Sequence, residues 1–182
     1  MFGAGTSGEG CDAEDLKLPG AQQELVEAVL ATGTPTVLVL ITGRPYALGA
    51  VADRCAAIVQ GFFPGEEGGP AVADLLIGAV EPAGRLPIGV PARPGGQPAG
   101  YIAAPLGQAS KGVSNLDPSA LYPFGHGLSY TTVEYSDLLI DSEEIAVDGT
   151  VNVSATVTNT GDRQAEDVVQ LYFGDPYAQV AR

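Results

Sequence analysis

One histidine, two cysteines and eight basic residues in 182 positions limit what this chain can do. The lone His126 excludes a metal centre built from several imidazoles. Cys11 and Cys55 lack Cys-x-x-Cys spacing and read as two free thiols, with a pairing left open. No metal or cofactor is expected. Against the eight Lys and Arg stand 22 Asp and Glu, a net charge of −14. Phosphate backbones and anionic lipid repel such a chain, which argues against nucleic acid and membrane partners. No apolar run is long enough to span a bilayer. The opening residues lack the basic and apolar regions of a secretory signal, and the compartment stays open, cytoplasmic and secreted both fitting.

What is present suffices for a fold. A hydrophobic fraction of 45% can build a core, and 182 residues hold one ordinary domain or parts of two. The chain starts with its most chemical stretch, Thr6-Ser7-Gly8-Glu9-Gly10-Cys11-Asp12. Gly8 and Gly10 leave the backbone unshielded around Glu9, so a bulky ligand can approach the carboxylate, a candidate general acid or base. Taken alone, the same residues read as a solvated acidic loop. Gly3, Gly5 and Gly8 also match G-x-G-x-x-G. That fingerprint needs a strand before it and a helix after it, and the acids that follow here would repel a pyrophosphate.

From Pro19 the pattern turns helical, with Ala21, Leu25, Ala28 and Val29 on the expected apolar face and Gly33 and Pro35 as the stop. The apolar, β-branched run 36–42 predicts a strand buried on both faces. A turn at Gly43-Arg44-Pro45, a short helix over 46–54, a second buried strand over 57–63 and a helix over 71–77 follow. Val72, Leu75 and Leu76 are expected on one face of that helix. The stretch 84–90 reads as a last short extended piece. Strand, helix, strand, helix with short loops predicts a doubly wound parallel α/β layer, whose ligands bind at the C-terminal strand ends. Arg44, Glu66 and Glu67 fall on that edge, where each also reads as a charged rim ordering a turn. Residues 91–112 read as a Pro/Gly/Ala connector, and the aromatic, glycine-rich run 121–130 as an anchored crossing in which His126 is structural. Beyond 133 the period becomes two, with Val151, Val153, Ala155 and Val157 alternating with polar residues. Turns at Asp148-Gly149 and Asn159-Thr160-Gly161-Asp162, and a strand over 167–173, complete the opening of a β-sandwich too short to finish.

These pieces in this order resemble the C-terminal half of glycoside hydrolase family 3, the β-glucosidase family. The resemblance rests on Ser7-Gly8-Glu9-Gly10, Leu18-Pro19-Gly20 with Gln22, Gly43-Arg44-Pro45, Phe63-Pro64-Gly65 with Glu67-Gly68, and Gly84-Arg85-Leu86-Pro87. It extends through Tyr122-Pro123-Phe124-Gly125-His126-Gly127-Leu128-Ser129-Tyr130, Asn159-Thr160-Gly161 and Val169-Gln170-Leu171-Tyr172. It implies an α/β fold, a partial three-layer parallel-sheet sandwich over 1–94. A connector with the aromatic crossing over 95–132 and an incomplete fibronectin-III-like domain over 133–182 would follow. It also implies a retaining glycosidase whose nucleophilic aspartate lies on an N-terminal barrel absent from this chain, with Glu9 as acid/base.

On this reading the chain is a fragment acting on β-glycosides together with the barrel, and alone it is expected not to hydrolyse them. The sugar and the substrate-binding residues are not set by the sequence. One alternative is a non-catalytic carbohydrate-binding or interaction module on the same scaffold. Another is a nucleotide-binding domain resting on Gly3, Gly5 and Gly8.

Overall fold

A computed structural model describes residues 10–96, 115 and 117–174. Gly20, with φ +60°, turns the chain into helix α1 (Gln22–Leu30), and Gly33, with φ +74°, lets it leave. The N–H groups of Ala31, Thr32 and Gly33 close the last turn on the carbonyls of Glu27, Val29 and Leu30. The packed face is not the expected one. Val26 lies against the core and Leu30 is buried, whereas Leu25 is 64% and Val29 40% exposed. Neighbouring stripes on one helix share the same period, so periodicity alone does not choose between them; the surface they meet does.

Strands β1 (Val37–Leu40) and β2 (Ala57–Gln60) pair in parallel, Val37 opposite Ala57 and Leu40 opposite Gln60. Leu40 is buried, Leu38 and Val39 are half-buried, and Val37 is 44% exposed. The expected burial on both faces is therefore only partly met. Full burial needs neighbours on both faces of a parallel sheet, and this one has two strands among the described residues.

Between these strands the expected helix over 46–54 is replaced by a buried segment without regular secondary structure, 45–48, and a single 3₁₀ turn, Ala52–Arg54. Its main chain is claimed from outside. Ala47 N–H donates to Leu16 O (2.8 Å), Leu48 N–H to Pro91 O (3.4 Å) and Gly49 N–H to Ala92 O (3.1 Å). Those bonds satisfy the backbone without helix and send Tyr46 and Leu48 into the core.

Helix α2 (Gly68–Leu76) begins earlier than expected, at a glycine whose Cβ would strike the Pro64 ring at 2.5 Å. Val72 and Leu75 are half-buried, but Leu76 is exposed. Strand β3 (Val90–Pro91) pairs antiparallel with β4 (Ala120–Tyr122). The start of the expected connector is fastened, since Leu16 N–H also donates to Pro94 O (2.9 Å). Positions 97–112 of that connector lie outside the described residues.

The chain divides into two compact units. In the first, made of Met1–Ala73, Arg85–His126 and Gln170–Arg182, the core is Leu18, Leu40, Tyr46, Leu48, Ala52 and Val90. The second comprises Asp74–Gly84 and Gly127–Val169. Its sheet is β5 (Val133–Ile140) antiparallel to β6 (Val153–Asn159), Val133 opposite Asn159 and Ile140 opposite Val153. The register shifts between Ser136 and Leu139, where Asp137 takes φ +52°. Aspartate tolerates the left-handed conformation that such a bulge demands. Both expected turns form: Gly149 N–H donates to Ala146 O (2.8 Å), and Gly161 N–H to the Asn159 side chain (3.1 Å). Strand β6 is exposed along its length, as an edge strand can be, and 167–173 is not a strand. An alternating sequence becomes a strand only when a neighbour pairs with it, and none does so among the described residues.

Candidate functional site

In the first unit, the C-terminal ends of β1 and β2 carry a short relay of polar groups. The Gln60 amide donates to the Thr42 hydroxyl (3.0 Å), which in turn donates to Arg44 O (2.8 Å). The Arg44 guanidinium then donates to the carbonyl of Cys11, so the loop that leaves Gly10 is tied to the end of the sheet. Gly10 has φ +72° with open space around its missing Cβ, so the glycine is there for conformation rather than clearance. Further along the loop, Asp15 accepts the Lys17 N–H (2.9 Å) and pairs with the Lys17 ammonium (3.0 Å). The backbone bond, followed by the side-chain bond, holds the Asp15 carboxyl below its ordinary range. Leu16 is fixed by main-chain bonds on both sides, and Leu18 enters the core.

A second loop follows β2. Phe62 takes φ +48°, rare for a bulky residue, and Gly65 φ +76°. Phe63 stands 57% exposed, and Glu66 and Glu67 are exposed just before α2. Of the three charged residues expected on this edge, Arg44 reaches the Gly10–Cys11 loop, while the two glutamates remain on the surface. Glu9 and the glycines Gly3, Gly5 and Gly8 lie outside the described residues. Among the described residues no group of three or more His, Cys, Asp or Glu could hold a metal ion.

The aromatic run packs on itself and against neighbouring main chain. Tyr122 and His126 stack with centroids 4.9 Å apart, and Leu86 exchanges main-chain bonds with Gly125 and His126 (2.8 and 2.9 Å). Gly125, at φ +79°, leaves room for the Gln170 amide, which donates to its carbonyl (3.2 Å). Burial pushes the Tyr122 hydroxyl up from its usual value, helped by the charges of Asp53 and Cys55. Burial likewise raises the Cys55 thiol, against a smaller opposing effect of Arg54.

Within the second unit the sequence did not single out Glu81. Its carboxylate accepts the Ser129 hydroxyl and the Tyr130 N–H (2.8 Å), and its other oxygen is buried without a hydrogen-bond partner. Tyr130 OH donates to Leu75 O (2.7 Å), and Arg163 donates to Gly78 O while lying over the Tyr130 ring at 5.2 Å. One oxygen of this carboxylate thus fastens Ser129 and the main chain of Tyr130.

Comparison with known proteins bears on the chemistry. The chain is 42% identical over 179 residues to a β-xylosidase of Formosa agariphila, covering 97% of this chain and 25% of that protein. It is 40% identical to a periplasmic β-glucosidase of Salmonella typhimurium, covering 98% of this chain and 24% of that one. Among solved structures, a β-glucosidase from Erythrobacter marinus superposes with a TM-score of 0.83 at 44% identity, over 100% of this chain and 24% of its own. A β-glucosidase from Listeria innocua in complex with glucose gives 0.81 at 31% identity, over 97% and 26%. The chain thus spans about a quarter of the length of the curated relatives it matches. The family model described as the glycosyl hydrolase family 3 C-terminal domain matches residues 1–130, and the chain belongs to that family.

Proposed function

We propose that this chain works as the C-terminal part of a retaining β-glycosidase and supplies Glu9 as the acid/base. The observation that carries the reading is the family match over 1–130, which takes in the Ser7-Gly8-Glu9-Gly10 stretch; relatives matched over 97–98% of this chain are named β-glucosidase and β-xylosidase. In such a reaction one carboxylate attacks the anomeric carbon while the other protonates the departing oxygen. The second carboxylate, now ionised, takes a proton from the water that hydrolyses the glycosyl-enzyme. Glu9 fills the second role. The first belongs to an aspartate on a barrel domain contributed by the longer enzyme, which also grips most of the glycone. A nearby negative nucleophile and exclusion of water on sugar binding would keep Glu9 protonated for the first step.

The finer architecture belongs to the same proposal: residues 1–94 complete a three-layer α/β sandwich with the rest of the enzyme, 95–132 cross over, and 133–182 open a fibronectin-III-like module. The test is turnover of a panel of aryl β-glucosides and β-xylosides, by this chain and by the full-length glycosidase, each with Glu9→Gln beside it. The chain alone is expected to be inactive. The full-length enzyme is expected to lose about 10²–10⁴-fold on substrates with poor leaving groups when Glu9 becomes Gln. Turnover by the isolated chain, or a full-length Glu9→Gln variant as active as its parent, would overturn the assignment.

A further inference from the structure

We propose that the outer edge of β6 receives one further strand, basic in character, from the rest of the longer glycosidase. The inference rests on the reading above only in taking the chain as part of that longer enzyme. The phase of the ladder shows which groups are on offer. Thr160 N–H donates to Thr132 O (2.9 Å) and Asp141 N–H to Asn152 O (3.1 Å), so the main chain of 152 and 160 faces β5. Between them Ser154, Thr156 and Thr158 lie opposite Leu139, Ser136 and Glu134. Main-chain groups alternate sides along a strand, which turns the N–H and C=O of Val153, Ala155, Val157 and Asn159 outward. β5 and β6 form a two-stranded sheet, and among the described residues no main chain bonds that outer row.

A row of unpaired donors and acceptors is a template for another strand, and stable sheets blunt it with charge, proline or a bulge. β5 is blunted in that way: it carries Glu134 and Asp137, and the register shift between Ser136 and Leu139 interrupts it. β6 has no charge, no proline and no extra residue. Its seven residues offer about 23 Å of regular edge at ~3.3 Å each. The side chains agree. Val153 pairs with Ile140 and Val157 with Tyr135 on one face, and these four are 38–53% exposed. An added strand with apolar residues at alternate positions extends that face.

Charge decides the character of the occupant and argues against a second copy. Residues 127–169 hold nine Asp and Glu against Arg163, which is already bonded to Gly78 O. Asp148 and Asp162 stand exposed just beyond either end of β6. A second β6 would bring the same acids to the same seam, from a chain that itself carries −14. Lys or Arg on the incoming strand meets opposite charge at both ends instead.

The test is amide hydrogen exchange, resolved to single residues, on the 182-residue chain and on the full-length glycosidase. In the chain alone, Ser154, Thr156 and Thr158 are expected to exchange more slowly than Val153, Ala155, Val157 and Asn159. In the full-length enzyme the outer four are expected to slow by at least about 100-fold and lose that difference. Reversing two charges there, Asp148→Lys with Asp162→Lys, is expected to speed the outer four by about three- to tenfold. Relief of repulsion among the acids would act in the opposite direction.

Outer amides as fast in the full-length enzyme as in the chain would overturn the inference. So would outer amides that slow in the chain alone as its concentration rises, the sign of a second copy. Protection that the charge reversal leaves unchanged or strengthens would overturn the basic character of the strand. A full-length protein that protects the outer row yet cleaves no β-glycoside would leave this inference standing and remove the reading above.

Discussion

Leu48 is 2% exposed among Leu18, Leu40, Tyr46, Ala52 and Val90, in a segment whose sequence pattern predicts a helix. Leu48→Ala removes three carbons, about 2.4 kcal/mol of transfer free energy at ~0.8 kcal/mol per carbon. A cavity of several tens of Å³ adds about 1–2 kcal/mol, giving a loss of about 3.5–4.5 kcal/mol. That is a large share of the ~5–15 kcal/mol that holds a typical domain together. With a urea m-value of about 2 kcal/mol/M, the midpoint should fall by roughly 2 M, read by far-UV circular dichroism. Leu25→Ala is the matched control. Leu25 has the spacing of a core residue but is 64% exposed, and Ala is the better helix former, so its change should stay within about 0.5 kcal/mol. A loss below about 1 kcal/mol at Leu48, or one above about 2 kcal/mol at Leu25, would refute this assignment of the core.

Gly49→Ala would place a Cβ 2.3 Å from the carbonyl oxygen of Ala92, which is main chain and cannot rotate away. A loss of about 1–3 kcal/mol is expected in the same urea assay, and a neutral result would mean that 49 and 92 are not so close. Alkaline stability follows from Cys55 and Tyr122, whose values are raised in the fold above the ordinary 9.0 and 10.0. Between the ordinary and the folded value the native chain holds the proton more tightly than the unfolded one. The contribution is therefore complete below those pH values and is lost as pH rises through the folded ones. Urea midpoints should begin to fall above about pH 9, and Cys55→Ser should remove that first limb and leave the one that starts near pH 10.

Much of this was legible where the chain punctuates itself. Pro19, Gly20 and Gly33 bracket α1 closely, and the β-branched run before Thr42 is a strand. The signals that failed depend on partners distant in sequence. Which stripe of α1 faces inward depends on the core it meets, and the helix expected over 46–54 is lost because Leu16, Pro91 and Ala92 take the backbone bonds it would have made internally. The Ser7-Gly8-Glu9-Gly10 motif is readable as residues. The grip of Arg44 on Cys11 is not, because the two are 33 positions apart. Arg44 announces itself only as a cation at a strand end. Glu81 gives still less warning, since an acid before a proline resembles any surface turn and its partners lie 48 and 49 residues on.

The fastening at Glu81, Leu75 and Gly78 also sets an order of events. These groups are made early, yet their partners Ser129, Tyr130 and Arg163 follow 48 to 85 residues later. At ~5–20 residues per second on the ribosome, Gly78 waits roughly 4–17 s for Arg163. Bringing the two stretches together carries a loop-closure cost that rises only slowly with length, about 0.6 kcal/mol per doubling. Once the first bond has closed that loop, the others add little further cost. The second unit is therefore expected to assemble late and in one step, after its first stretch has spent seconds as a nascent chain with a carboxylate and two carbonyls still facing water.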